Sequence, residues 1–373
     1  MPTIASIEAL VFRQPIDVPV LTSLGTMHDR PALFERACDT DGVVGFGEVW
    51  CNFPSVGAEH RGRLIERVLA PMVTGTDASN PTAVFESLTR RTAVLAIQCG
   101  EPGPFAQAIA GIDLALWDLA ARRAGQPLWR LLGGVSAEVP VYASGINPDR
   151  PEAMVQRKHD EGHRRFKLKV GFGRERDLDN LRRVRDLLGP EAPLCVGANQ
   201  GWSLEEALSM VDAMAPFALC WLEEPLRADR PWSEWLRLKA ATDIPLAAGE
   251  NLSSEAAFDL ALSSGAVDIL QPDAAKWGGI SGCLPVAHRA MAAGKTYCPH
   301  YLGSGIGLLA SAHLLAASGS GGWLEIDSNP NPLRADWCGP VGRIVEGRIT
   351  LDDEPGLGIV PTLERMESIR SSI

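Results

Sequence analysis

The chain has 373 residues, 46% of them hydrophobic and 22% charged, and a formal net charge of -11. Its length accommodates an α/β barrel of about 250 residues plus a smaller unit, and the composition excludes a disordered or fibrous protein. The acidic balance argues against a binder of nucleic-acid phosphates, which needs clustered Lys and Arg to displace counterions, and leaves a small molecule as the expected partner.

The amino-terminal MPTIASIEALVF has no basic region ahead of an apolar stretch, and no run reaches about 18 apolar residues, so a cytoplasmic protein without membrane contact is expected. Eight cysteines, at 38, 51, 99, 195, 220, 283, 298 and 338, form no Cys-x-x-Cys pair and read as buried thiols. IEALVF and then ALFERACDTDGVVGFGEV alternate apolar and polar positions around Asp41-Gly42, a hairpin signal, and predict antiparallel strands. From Gly62 to about Ala124 the spacing turns helical, most clearly in FAQAIAGIDLALWDLAARRAG, where Gly125 ends the helix. Strands followed by helices make an α+β unit.

After LLGG at 131–134, short apolar runs alternate with helical stretches: VPVYAS, FKLKV, PLCVG, LCWLEEP, IPLAAGE, VDILQPD, KTYCP and GGWLEID. Eight such runs, roughly 25 residues apart, are the pattern of βα units that close into a barrel. The rival is an open doubly wound sheet, but its Gly-x-Gly-x-x-Gly turn is missing, as is a Walker-type phosphate loop. The closing GRIVEGRITLDDEPGLGI reads as a hairpin turning at Glu346-Gly347, expected to pack on the amino-terminal unit.

In a parallel barrel the chemistry gathers where strands end. Lys167 and Lys169 in FKLKVG are two apart and share a strand face. If that face points inward, mutual repulsion and burial push the proton off one ammonium and make a base; if outward, both are ordinary solvated lysines. Glu223 and Glu224 in WLEEPL and Glu250 in AAGENL lie at further strand ends. Converging carboxylates repel unless a cation lies between them, and hard oxygen ligands suit Mg2+. Asp273 and Lys276 in QPDAAKWGGI, His300 in YCPHYLGSG and Glu325 in WLEIDS complete the series, with Asp273 able to orient His300. His313, inside the apolar LLASAHLLAAS, reads as structural.

Taken in order, these stretches resemble the mandelate racemase subgroup of the enolase superfamily. The motifs are GIDLALWDLAARRAGQPLWRLLGG, KLK, ANQGW, WLEEP, GEN, PDAAKWGG, the late His300, WLEID and PGLGI. The resemblance implies a modified (β/α)7β TIM-type barrel at 135–340 under an α+β capping domain at 1–130 that 341–373 completes. Lys169 would be one acid/base and the His300-Asp273 dyad the other, on opposite sides of a bound carboxylate. Lys167 would touch that carboxylate and lower the proton affinity of Lys169. Glu325 would donate a hydrogen bond to it, and Glu223 and Glu250 would hold Mg2+. The shared step is removal of the proton α to a carboxylate, giving an enediolate that a metal and hydrogen-bond donors stabilise. Loss of a β-hydroxyl then gives an acid-sugar (hydroxy acid) dehydratase, the preferred outcome, and reprotonation gives a racemase or epimerase. A homo-oligomer is implied as well.

One position departs from this pattern. Gly197 stands where the family has an aspartate as first metal ligand. Asn199, two residues on, shares the strand face if the strand persists, and its amide oxygen becomes a candidate ligand. A weak, substrate-assisted Mg2+ site, a metal-free variant, and an engineered or accidental change are the three readings, and a non-catalytic carboxylate binder is the rival to an enzyme. Substrate contacts are expected from Lys167, Asn199 and Ser144 and from two capping segments, LTSLGTMHD and WCNFP. In these, Thr22, Ser23, His28 and Asn52 suit hydroxyls, whereas Leu24, Met27, Trp50 and Phe53 suit an apolar cover.

Overall fold

The computed structural model describes residues 2–22 and 25–373. Strands β1 (Ile4–Thr22), β2 (Gly25–Asp39) and β3 (Val44–Val49) form an antiparallel sheet, with β2 and β3 joined by the Asp41-Gly42 hairpin. Because side chains alternate along a strand, the sheet feeds two cores. Leu10, Phe12 and Phe34 face the barrel side, whereas Ile7, Ala9 and Val11 meet helices Pro81–Gln98 and Pro102–Arg123. The second helix lies so close to β3 that a Cβ at Gly45 would be 2.2 Å from Ala115 O, and one at Gly47 2.2 Å from Gly111 O.

Eight strands follow, matching the eight runs of the sequence: β4 (Glu138–Ile146), β5 (Phe166–Lys169), β6 (Leu194–Gly197), β7 (Leu222–Glu223), β8 (Leu246–Ala248), β9 (Ile269–Leu270), β10 (Thr296–Tyr297) and β11 (Leu324–Asp327). Their parallel ladders run β10-β9-β8-β7-β6-β5-β4-β11, so the last strand returns to the first. Seven main helices, from Pro151–Asp160 to Gly305–Ser318, alternate with these strands. This is the (β/α)7β arrangement, and the open sheet is excluded. Between β10 and β11, Ser320 Oγ bonds Tyr297 N and O, and Trp323 N reaches Cys298 Sγ at 3.4 Å. Inside, Tyr142, Cys195, Trp221, Ala247, Ile269 and Cys298 form a separate apolar cluster. Tyr142 and Trp221 meet edge to face at 5.3 Å, and Trp323 packs beside both.

Two expectations need correction in part. The late hairpin does turn at Glu346-Gly347, but β12 (Arg348–Thr350) pairs antiparallel with the start of β4, joining the barrel. The end of the same stretch does pack on the amino-terminal unit, where Leu357 N bonds Asp118 and Arg122 bonds Ile359 O, and β13 (Arg370–Ser371) pairs with β1. Five cysteines are buried as expected, Cys38 and Cys220 are half-buried, and Cys99 is exposed at the end of helix Pro81–Gln98. No helix is long and apolar enough to cross a membrane among the described residues.

The close helix-to-β3 contact makes a direct test. Gly45→Ala forces a methyl into backbone atoms and is expected to cost about 3 kcal/mol. Gly103→Ala, whose added carbon meets nothing within 4 Å, is expected to be neutral or slightly stabilising. Thermal unfolding of the two variants beside the parent separates these outcomes.

Candidate active site

Strand ends converge under the capping sheet, and the residue at each end decides what faces inward. The period of two puts Lys167 and Lys169 on one face of β5, and both line a single cavity. Gly197 of β6, Glu223 of β7 and Glu325 of β11 line it too, as do Glu250 and His300 just beyond their strands. Asp273, after β9, is reached through the ring: His300 Nδ1 lies 2.7 Å from Asp273 Oδ2. Asp273 Oδ1 accepts from the amides of Ala275 at 2.8 Å and Lys276 at 3.2 Å, so the turn fixes the carboxylate and the carboxylate fixes the ring.

The Lys167 ammonium bridges Glu223 and Glu325, lying 2.7 Å from Glu325 Oε1, with all three groups buried. Burial lowers its pKa, but the two carboxylates reverse this and raise it, so Lys167 stays charged. Lys169 makes no hydrogen bond or ion pair among the described residues. Burial pulls its pKa down, the Asp327 carboxylate opposes that, and Lys167 adds to the fall. This is the asymmetry between the two lysines that their spacing predicts. For His300, burial lowers the pKa, but Glu250 and Glu325 with the Asp273 bond outweigh it and hold the imidazole well above its ordinary value. Its Nε2 is 2.5 Å from Glu250 Oε2.

Glu325 accepts from Ser144 Oγ, from Lys167 and from Tyr301 N at 3.1 Å. Burial raises its pKa, yet Lys167 and His300 prevail and keep it below the usual carboxylate range. All three partners donate to Glu325, so it is an acceptor in this structure. Ser144 lines the cavity but gives its hydroxyl to Glu325. Strand β6 stops at Gly197 and Asn199 has φ +45°, so the shared-face argument for Asn199 fails. The left-handed turn nonetheless leaves Asn199 lining the cavity.

From the capping side come Val20, Trp50 and Phe53. Lys276 Nζ sits 4.8 Å from the Trp50 ring and 2.8 Å from Asn251 Oδ1. Two expected contacts are not made. His28 is exposed on β2 and does not line the cavity, and Asn52 spends its amide on Leu302 O at 2.6 Å, tying one loop to another. Met27 is buried away from the cavity lining. Ser23, Leu24 and the side chain of Thr22 lie outside the described residues. His313 is structural as expected, its Nδ1 accepting from Trp129 N at 3.0 Å.

Sequence reasoning passed over Asp327 and Arg30. Asp327 is two residues after Glu325, so the same period-of-two rule would have found it. Arg30, buried in β2, gives no sequence signal beyond a cation ahead of an apolar run; its Nη2 reaches Asp327 Oδ2 at 3.0 Å across 297 residues. Gln271, which bonds Glu223 Oε2 at 2.7 Å, was also missed.

The donors do not fit the three-carboxylate metal site that the resemblance implies. Gly197 offers no side-chain oxygen, and Glu223 and Glu250 are already engaged by Lys167 and His300. Among the described residues no three His, Cys, Asp or Glu side chains are grouped to hold a metal ion.

A barrel with ionisable side chains at its strand ends and a capping sheet over them is the arrangement that the resemblance implies. Residues 6–133 match the mandelate racemase/muconate lactonizing enzyme N-terminal domain and residues 150–365 the enolase C-terminal domain-like family. The chain belongs to the mandelate racemase/muconate lactonizing enzyme family of the enolase superfamily and is an enzyme. It is similar to a mandelate racemase/muconate lactonizing enzyme from Bordetella bronchiseptica RB50, with 55% identity, a TM-score of 0.94 and 99% of each chain covered. A racemase from Streptomyces coelicolor A3(2) with bound magnesium has 27% identity and a TM-score of 0.87, covering 99% of this chain and 100% of that one. A D-galactarolactone cycloisomerase from Agrobacterium fabrum is 32% identical over 95% of this chain and 96% of its own. Other relatives are named as sugar-acid dehydratases and as a racemase. Cycloisomerisation was not among the outcomes weighed from the sequence.

Asp327 yields a stability prediction. Burial pushes its carboxyl up, but Arg30, Arg334 and Asn329 outweigh it and hold the pKa at about 2. An unfolded aspartate titrates at about 3.9, so this stabilisation is complete above about pH 4 and is lost as pH falls toward 2. Urea unfolding of the parent and Asp327→Asn across that range should show a difference that closes at the acid end.

Proposed function

We propose that this enzyme removes the proton α to a carboxylate and that its reaction is the dehydration of an acid sugar or other hydroxy acid. The observation that carries the reading is that Lys169 and His300 line one cavity from β5 and from beyond β10, far apart in the strand order. Lys169, its pKa lowered by burial, is the base. The Lys167 ammonium has three N–H donors and gives two to Glu223 and Glu325, leaving one for the substrate carboxylate. In a buried site that fixed charge stabilises the developing enediolate far better than water does. His300, oriented by Asp273 at Nδ1, delivers its Nε2 proton to the departing β-hydroxyl, which takes the place of Glu250 beside Nε2.

Polar lining supports a hydroxylated substrate. Asn199 makes no side-chain hydrogen bond among the described residues, and Gln200 accepts only from Ala228 N at 2.8 Å, leaving its NH2 for a ligand. The sugar-acid dehydratases among the relatives add weight. A second reading, racemisation or epimerisation of a 2-hydroxy acid, uses the same Lys169 and His300 pair and has a named racemase among the relatives. No step is routed through Mg2+, because the donors do not fit it.

The test is α-hydrogen exchange into deuterated water across a panel of hydroxy and sugar acids, with products followed. A 2-keto-3-deoxy acid supports dehydration, an epimer without water loss selects the second reading, and no exchange on any acid sinks both. Lys169→Met and His300→Asn are each expected to lower turnover by about 10²–10⁴ with the fold intact by circular dichroism. Glu325, Lys167 and Arg30 also face Lys169, and Asp327 is the group that raises its pKa most. Asp327→Asn is therefore expected to move the acid limb of the kcat/KM profile to lower pH.

A further inference from the structure

We propose that this active site works without a divalent cation, and that the Lys167 ammonium occupies the place of the metal's charge. The inference rests on the proton-abstraction reading above for its catalytic part, and on the donor geometry alone for its binding part.

All four oxygens of the two remaining family ligands are engaged. Glu223 takes Lys167 on Oε1 and Gln271 on Oε2; Glu250 takes Asn251 on Oε1 at 3.0 Å and His300 on Oε2. Neighbouring acids are committed as well: Glu224 to Asn251, Asp273 to His300 and two backbone amides, Asp327 to Arg30 and Arg334. Mg2+ demands near-octahedral oxygen ligands at about 2.0–2.1 Å, so binding it here means evicting Lys167 or His300 from a buried contact.

Position 197 explains why the lysine can sit there. Gly197 does not have a positive φ, so its backbone does not require glycine. A Cβ on it would lie 3.3 Å from Glu223 Oε1 and 3.8 Å from Lys167 Cδ. A side chain at 197 would therefore grow into the gap that the lysine crosses to reach Glu223. An aspartate there would add a third carboxylate at the spot where the ammonium now meets the acid. Glycine leaves the gap to Lys167, and one protein cation, bonded to Glu223 and Glu325 at once, serves the acids.

The experiment titrates Mn2+ into the parent enzyme, with bound metal read by electron paramagnetic resonance. Absence of saturable binding up to millimolar Mn2+ is the expected result, with binding appearing in Gly197→Asp. Saturable binding by the parent that Mg2+ displaces overturns the proposal, and a Gly197→Asp protein that is folded yet gains none overturns the assignment of cause to this position. Exchange of the α-hydrogen that persists in a chelator supports the catalytic part. Exchange lost to the chelator and restored by Mg2+ overturns it. Exchange absent in both conditions overturns the reading of the reaction instead, and the parent's Mn2+ titration then decides the present inference unaided.

Discussion

A buried ammonium held between two carboxylates organises this molecule's centre. Lys167 links β5 to β7 through Glu223 and to β11 through Glu325, so three strands of the barrel share one charge network. Removing one member of such a network would strand the others in a low-dielectric interior, which costs far more than the net value of the contact. The network also sets the difference between the two lysines. Burial, with a smaller contribution from its charged neighbour Lys167, keeps Lys169, which has no pair of its own, inclined to give up its proton.

The rest of the structure fixes the frame around that centre. Hydrogen bonds and an ion pair bring the capping sheet onto the barrel mouth: Glu48 on β3 accepts from Ser304 N, Ser304 Oγ and Gly307 N, Trp50 N donates to Ala275 O, and Arg30 meets Asp327. Ser304 and Ala275 belong to the segments that carry His300 and Asp273. The sheet therefore contacts the segments that carry the dyad, while the ring itself is held by Asp273 at Nδ1 and Glu250 at Nε2.

Much of this was legible in the chain. The eight barrel strands stand where the apolar runs predict, because strands buried on both faces read as short apolar stretches bounded by turns. Lys167, Lys169, Glu223, Glu250, His300 and Glu325 were readable from strand ends, which a barrel brings to one mouth whatever lies between. What failed depended on local backbone or on long-range partners. Asn199 follows a left-handed turn that the strand rule does not foresee. His28 and Asn52 were assigned from residue type alone, and one faces outward while the other satisfies a loop carbonyl. Arg30 and Asp327 are 297 residues apart, and only tertiary structure pairs them. The donors that surround Glu325 come from three other segments, and its motif does not name them.

The aromatic cluster of Tyr142, Trp221 and Trp323 inside the barrel underlies the charged centre. Tyr142 lies beneath Lys167, its ring 5.6 Å from Nζ, so the charge network rests on this apolar cluster. Val20, Trp50 and Phe53 line the chamber from the opposite, capping side. The chamber thus has an aromatic floor and an aromatic roof, with its charges confined to the band between them.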